Sequence, residues 1–214
     1  FNQVNEIILA EGNVKLYRTD KNFKIETNKI KYQTGINLIS SDTKTKLKDD
    51  SQNRFIFEKF SFNINDNILK VTNLDFTDKT KNKFVTPLAY INTESGNIFG
   101  KDVRIDLNNS SFNEQNQPRL KGRSLINDST GTKITKGIFT TCKIRDDCPP
   151  WQLQAEEIFH NKKNKTINYK NALLKVYDLP VMYFPKFFHP DPTVKRKSGF
   201  LIPKIKNSPT SDNF

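Results

Sequence analysis

Residues 171–203, NALLKVYDLPVMYFPKFFHPDPTVKRKSGFLIP, are the most apolar and most proline-dense part of this 214-residue chain. Two short β-type runs, 172–177 and 181–184, stand between turn formers. A basic cluster, Lys195-Arg196-Lys197, and the run 198–203 follow. Pro180, Pro185, Pro190 and Pro192 each lack a backbone donor and fix φ, so no central strand or helix is expected to run through them. The expectation is a series of short edge strands and stiff bends, a connector between two larger bodies.

Just upstream, Ile167 and Tyr169 alternate with polar residues, and then the parity flips at Asn171 so that Ala172, Leu174 and Val176 share a face. A bulged strand produces such a flip; a helix does not. Trp151, Ala155 and Ile158 follow Pro149-Pro150 at helical spacing, but Trp151, Leu153 and Ala155 also form a strand face, and the strand is the reading adopted.

The same alternation runs back to the start of the chain. Val14/Leu16, Phe23/Ile25, Ile30/Tyr32 and Ile36/Leu38 are separated by Gly12-Asn13, residues 19–22 and Thr34-Gly35, which read as turns. The Gly-Asn pattern returns after about 23 residues, a spacing that would hold two short strands per repeat. Residues 41–53 read as a polar loop. Strands resume at Phe55/Phe57, Phe60/Phe62/Ile64, Leu69/Val71, Leu74/Phe76, Leu88/Tyr90 and Val103/Ile105/Leu107. Weaker ones are marked by Leu120, Leu125, Ile134 and Phe139. Roughly fourteen to eighteen short strands are expected, with essentially no helix. One apolar face per strand, joined by short turns, implies antiparallel hairpins built into two facing sheets or a rolled, open sheet.

Composition narrows the function classes. The net charge is +12, with seventeen Phe and six Tyr, a combination that argues against disorder and favours an anionic partner. No apolar run reaches the ~18 residues of a membrane-spanning helix. His160 reads as a surface strand-end residue and His189 as a turn residue. Carboxylate pairs such as Asp49-Asp50, Asp146-Asp147 and Glu156-Glu157 fall in or beside turns. Without a nucleophile elbow, a phosphate-cradling glycine loop or a metal-ligand spacing, no enzyme, metal or cofactor is expected. Cys142 and Cys148 are near enough in sequence for a loop-closing disulfide.

Residues 142–203 resemble one family. Cys142 followed by the aromatic-led Trp151-Gln152, the strand Asn171-Ala172-Leu173-Leu174-Lys175-Val176, the proline pattern from Pro180 to Pro185 and the run Arg196-Lys197-Ser198-Gly199-Phe200-Leu201-Ile202-Pro203 look like the LPS-assembly protein family LptD (OstA/Imp), where its periplasmic domain enters its outer-membrane barrel. The resemblance implies an all-β, antiparallel β-jelly roll, a V-shaped open β-roll, in the periplasm of a Gram-negative bacterium. Residues 1–178 would be the jelly-roll domain and 179–214 the Pro-rich connector to a barrel further along a longer chain, with a leader before it.

The implied function is to accept lipopolysaccharide from a periplasmic LptA bridge, hold its acyl chains in an apolar groove and pass it to a barrel plugged by LptE. Phosphorylated sugars would stay at a basic rim. Carried onto this sequence, Phe55, Phe57, Phe60, Phe62, Ile64, Val71, Leu74, Phe76, Val103, Ile105 and Leu107 would line the groove. Ile7, Leu9, Val14 and Leu16 would form the edge that pairs with LptA. Pro180, Pro185, Pro190 and Pro203 would be the hinge to the barrel. Cys142 matches the family position that bridges to a barrel cysteine, and Cys148 leaves both pairings open. The competing reading is a structural or adhesive β-solenoid of the cell surface.

Overall fold

A computed structural model describes residues 6–18, 23–49, 51–108, 117–143, 150–191 and 194. They form one antiparallel sheet of fourteen strands: β1 (Ile7–Arg18), β2 (Phe23–Gln33), β3 (Leu38–Ser41), β4 (Thr45–Lys48), β5 (Arg54–Phe57), β6 (Lys59–Asn63), β7 (Ile68–Thr77), β8 (Lys83–Asn92), β9 (Ile98–Asp106), β10 (Arg119–Asn127), β11 (Gly131–Thr140), β12 (Trp151–Asn161), β13 (Thr166–Val176) and β14 (Leu179–Pro190). The only helical element among the described residues is a single 3-10 turn, Thr34–Ile36.

A crease folds this sheet in two. Asn13, Asn73, Asp102, Lys136 and Asn171 lie inside strands with φ between +47° and +52°. A single left-handed residue turns the chain and reverses side-chain parity beyond it. From β7 onward the registers line these positions up with Pro87, Arg123, Glu156 and Pro185 of the intervening strands. On the β5–β6 side the row continues to Glu58, where the chain bends between those two strands. Asn73 Nδ2 donates to Glu58 Oε2 at 2.6 Å, and Asn171 Nδ2 donates to Glu156 Oε2 at 2.5 Å, the same clasp at two places on the crease.

The strands therefore divide into two leaves. Leaf A holds β3, β6 and one half of each long strand; leaf B holds β4, β5 and the other halves. This explains why β2 pairs with both β3 and β4, and β7 with both β6 and β5. Buried side chains of both leaves form one apolar cluster. Ring contacts cross between the leaves: Phe139 of leaf B lies 5.0 Å from His189 and 6.2 Å from Tyr169 of leaf A. Near the crease the leaves come closest, and small residues pave the angle there. A Cβ on Gly137 would stand 2.5 Å from Ile158 Cδ1, and one on Gly122 would overlap the Ile134 methyl.

Several sequence expectations are corrected by this arrangement. Gly12-Asn13 is a bulge inside β1 rather than a turn, while Gly35 belongs to the 3-10 turn, so the two Gly-Asn sites are not equivalent points of a repeat. All pairings are antiparallel along one folded sheet, not coils stacked as in a β-solenoid. Residues 45–48, read as loop, form β4. The prolines do not break the chain into short pieces: β14 runs for twelve residues through Pro180, Pro185 and Pro190. It is tolerated because β14 pairs only with β13, and an edge strand leaves alternate N–H groups without a ladder partner anyway. The sheet thus continues past residue 178 to Pro190.

Candidate functional site: the apolar interior

The inner face of leaf B carries an apolar row that crosses every strand. By register it runs Leu16, Ile25, Leu47, Phe55, Phe76, Phe84, Ile105, Leu120, Phe139, Leu153, Leu174, Met182. At about 4.8 Å per strand the row is on the order of 50 Å long. Phe55 stacks on Phe76 with centroids 4.5 Å apart, and Phe76 on Phe84 at 5.0 Å. Leaf A opposes it with Phe60, Val71, Ala89, Gly100, Leu125, Ile134, Ile158, Tyr169 and Phe187.

Phe55, Phe57, Phe60, Val71, Leu74, Phe76, Val103, Ile105 and Leu107 are all buried in this interior. Phe62 is half-buried on the same face. Ile64 lies past the end of β6 at the rim, 39% exposed. The sequence reading missed Phe84 and, beyond Leu107, the rest of the apolar interior from Leu120 through Phe139 to Ile167. The alternation that marks it is present there, but interrupted at Lys136 and spread over strands that each hold only two or three apolar residues.

The leaves part at the tips of strands β4 to β10, leaving a cleft of about 380 Å³. Leu47, Phe55 and Phe76 of one leaf face Leu69, Ile91 and Ile98 of the other. That volume sits at the lower end of ligand pockets, roughly 300–1,000 Å³. Its rim is polar and acidic, with Asp49, Ser51, Asn53, Thr93, Glu94 and Ser95. The expected basic rim is absent from this cleft. The physical reason is local turn chemistry: Asp49 accepts bonds from the Asn53 amide (2.8 Å) and side chain (2.7 Å) and so closes its own loop. Farther along, Lys162 donates to Asn127 Oδ1 and the Asp128 carbonyl, both at 2.9 Å. Burial pulls its pKa down, opposed by Asp78 from the tip of leaf B and Asp128 from leaf A.

The interior ends at β14 in a polar cluster. His189, expected in a turn, is 2% exposed within β14. Its Nδ1 donates to the Pro190 carbonyl, which leaves Nε2 to accept the Tyr169 hydroxyl at 2.7 Å. That pattern belongs to the neutral ring, and burial lowers the His189 pKa accordingly, against the Pro190 bond and Asp191. Burial also raises Tyr169 well above its ordinary value. His160, expected at the surface, faces inward and pairs with Asp191. Among the described residues no group of three or more His, Cys, Asp or Glu is placed to hold a metal.

Both ends of the sheet are edges. β1 pairs only with β2, and its Ile7, Ile8 and Leu9 are 49%, 56% and 58% exposed. The bulge splits the expected edge residues, so Ile7 and Leu9 lie on the outer face while Val14 and Leu16 are half-buried inward. At the far edge Leu179, Val181, Met182 and Tyr183 are all more than half exposed. Cys142 is half-buried, with its thiol 3.7 Å from the Trp151 carbonyl, and has no disulfide among the described residues. Cys148 and Pro203 lie outside the described residues.

No family model matches the chain. It is similar to the LPS-assembly protein LptD of Pseudoalteromonas translucida (32% identity over 114 residues, half of this chain and 15% of that protein). The LptD of Shewanella oneidensis is 40% identical over 78 residues, 36% of this chain and 10% of that protein. The LptD of Yersinia pestis is 27% identical over 157 residues, 64% of this chain and 20% of that protein. The chain therefore spans between a tenth and a fifth of the length of these relatives. The match recurs across species, and the described residues form an open, folded antiparallel sheet without an α-helix: over the matched residues the chain is homologous to LptD.

Proposed function

We propose that this domain takes part, without catalysis, in lipopolysaccharide transport to the outer membrane. It works in the periplasm of a Gram-negative bacterium, as LptD homologues do. The observation that carries the reading is the unbroken apolar row between the leaves, running from one sheet edge to the other. Acyl chains favour such a surface because burying them removes apolar area from water, at roughly 25 cal/mol per Å². No directional bonds hold the cargo in place, so it is free to slide.

In this reading Phe55, Phe57, Phe60, Phe62, Val71, Leu74, Phe76, Val103, Ile105 and Leu107 line the path, with Ile64 at its rim. The open side of β1 around Ile7, Leu9, Val14 and Leu16 receives LptA by strand addition, since an edge strand offers unpaired backbone groups. Pro180, Pro185 and Pro190 stiffen the far edge ahead of a barrel, where LptE and the outer membrane are met, and Pro203 follows in the connector. Cys142 remains available to Cys148 or to a barrel cysteine.

A photoreactive phenylalanine analogue placed at Phe60, Phe62 or Phe76 in cells tests the path. Adducts with lipopolysaccharide are expected at these inward positions and not at Ser61, which points outward between two of them. Folded protein that yields no adduct at any inward position, or equal adducts at Ser61, refutes the conduit.

A further inference from the structure

The outer face of leaf A carries a feature that an interior conduit does not require. By register, one row of outward side chains runs Lys70, Tyr90, Phe99, Ile126, Lys133, Phe159, Asn168, Phe188. Tyr90, Phe99 and Phe188 are 40%, 48% and 57% exposed. The stripe is about 34 Å long at ~4.8 Å per strand. The ammonium of Lys70 lies over the Tyr90 ring, 5.8 Å from its centroid.

The next row toward the crease is Lys59, Thr72, Leu88, Lys101, Ser124, Thr135, Glu157, Lys170, Lys186. Lys59, Lys70, Lys101, Lys170 and Lys186 are exposed, and among the described residues none of them forms a salt bridge. Glu157, the carboxylate within these rows, is held by Lys133 at 2.8 Å. On the outer face of leaf B Lys24–Glu26, Lys83–Asp75 and Arg104–Asp106 are paired, while Lys46, Lys48 and Lys121 are exposed without a salt bridge among the described residues and no row of exposed rings accompanies them.

We infer that the outer face of leaf A is a docking surface for an anionic phospholipid bilayer, its rings seated among the headgroups and its lysines on their phosphates. Aromatic side chains favour the membrane interface, and exposed lysines beside them are drawn to anionic lipid. Lysine, a point charge, frames the stripe instead of the planar arginine fork suited to nucleic acid, and aliphatic Ile126 and Leu88 sit among the rings. Such docking would lay the domain flat against a leaflet and hold the cleft at the tips of β4 to β10 near the membrane.

The test is flotation of the 214-residue chain with vesicles of phosphatidylethanolamine containing one-third phosphatidylglycerol, and with phosphatidylcholine alone. Binding to the anionic vesicles, weakened by high salt, is expected. Replacing Lys70, Lys101 and Lys170 by Gln should weaken partition roughly fivefold per lysine, on the order of a hundredfold together. Phe99→Ser should weaken it further, whereas Lys121→Gln on leaf B should not weaken it beyond the same single-charge factor. A urea melt that matches the parent chain shows that the variants are folded. The proposal is overturned if both vesicle types bind equally, if the leaf A variants bind unchanged, or if the same lysines bind oligo-dT while vesicles are ignored. No glycolipid is present in the assay, so its failure leaves the interior conduit standing, and a failed crosslink leaves this surface standing.

Discussion

Closure of the two leaves at the crease is set by side-chain size, and Gly137→Ala tests it most directly. At an open site the substitution would stabilise the protein by about 0.4–1 kcal/mol, because alanine restricts the unfolded chain. Gly137 lies outside the left-handed region, so its backbone does not forbid a side chain. Space does. The new Cβ would meet Ile158 Cδ1 at 2.5 Å and Cγ1 at 2.8 Å, well inside the 3.5–4.0 Å of a good carbon contact. Ile158 is fully buried, so neither atom can swing into solvent. Overpacking of this kind costs about 1–3 kcal/mol, which outweighs the entropic gain. For a domain of this size that lowers Tm by roughly 2–12 °C.

The assay is a double-mutant cycle by urea unfolding. Ile158→Ala alone should cost about 2–5 kcal/mol by opening a cavity. In that background Gly137→Ala should cost almost nothing, giving a coupling of more than ~1 kcal/mol. Equal effects of Gly137→Ala in both backgrounds, or a stabilised single variant, would refute the claim that facing leaves touch here.

Two further outcomes follow from the same structure. His189 is held neutral with a pKa below 6.5, so the unfolded chain takes up its proton first as pH falls. Stability should drop between 6.5 and the depressed folded value and level off below it; Tyr169, Asp191 and His160 are the titratable groups that face the ring. Urea midpoints measured from roughly pH 8 to pH 5 should show this drop, and His189→Gln, which does not titrate, should lose that part of it. Asn73→Ala should cost about 1–2 kcal/mol, since alanine resists the left-handed backbone and releases Glu58. Asn73→Gly should be milder, and thermal melts that rank the two in the reverse order would show that the crease does not depend on φ.

The sequence by itself determined the strand content and the antiparallel character, because a period of two is a local property that neighbouring residues spell out. The parity flip at Asn171 was legible for the same reason, and the motifs in residues 142–203 carried the resemblance to LptD. The tertiary structure alone decided that the flips line up into one crease. Their residues have no common signature: Asn73 and Asn171 suit a left-handed backbone, Asp102 tolerates it and Lys136 does not advertise it at all. Which leaf a side chain faces depends on pairings between distant strands, as with Phe139 against His189, and no local pattern encodes them. Edge position likewise decided that β14 could run through three prolines, and burial among aromatic rings decided that His189 is a neutral core residue rather than a turn. The outer stripe of leaf A is the clearest case: Tyr90, Phe99, Ile126 and Phe188 are scattered over almost a hundred positions and become neighbours only because hydrogen-bond register sets them side by side.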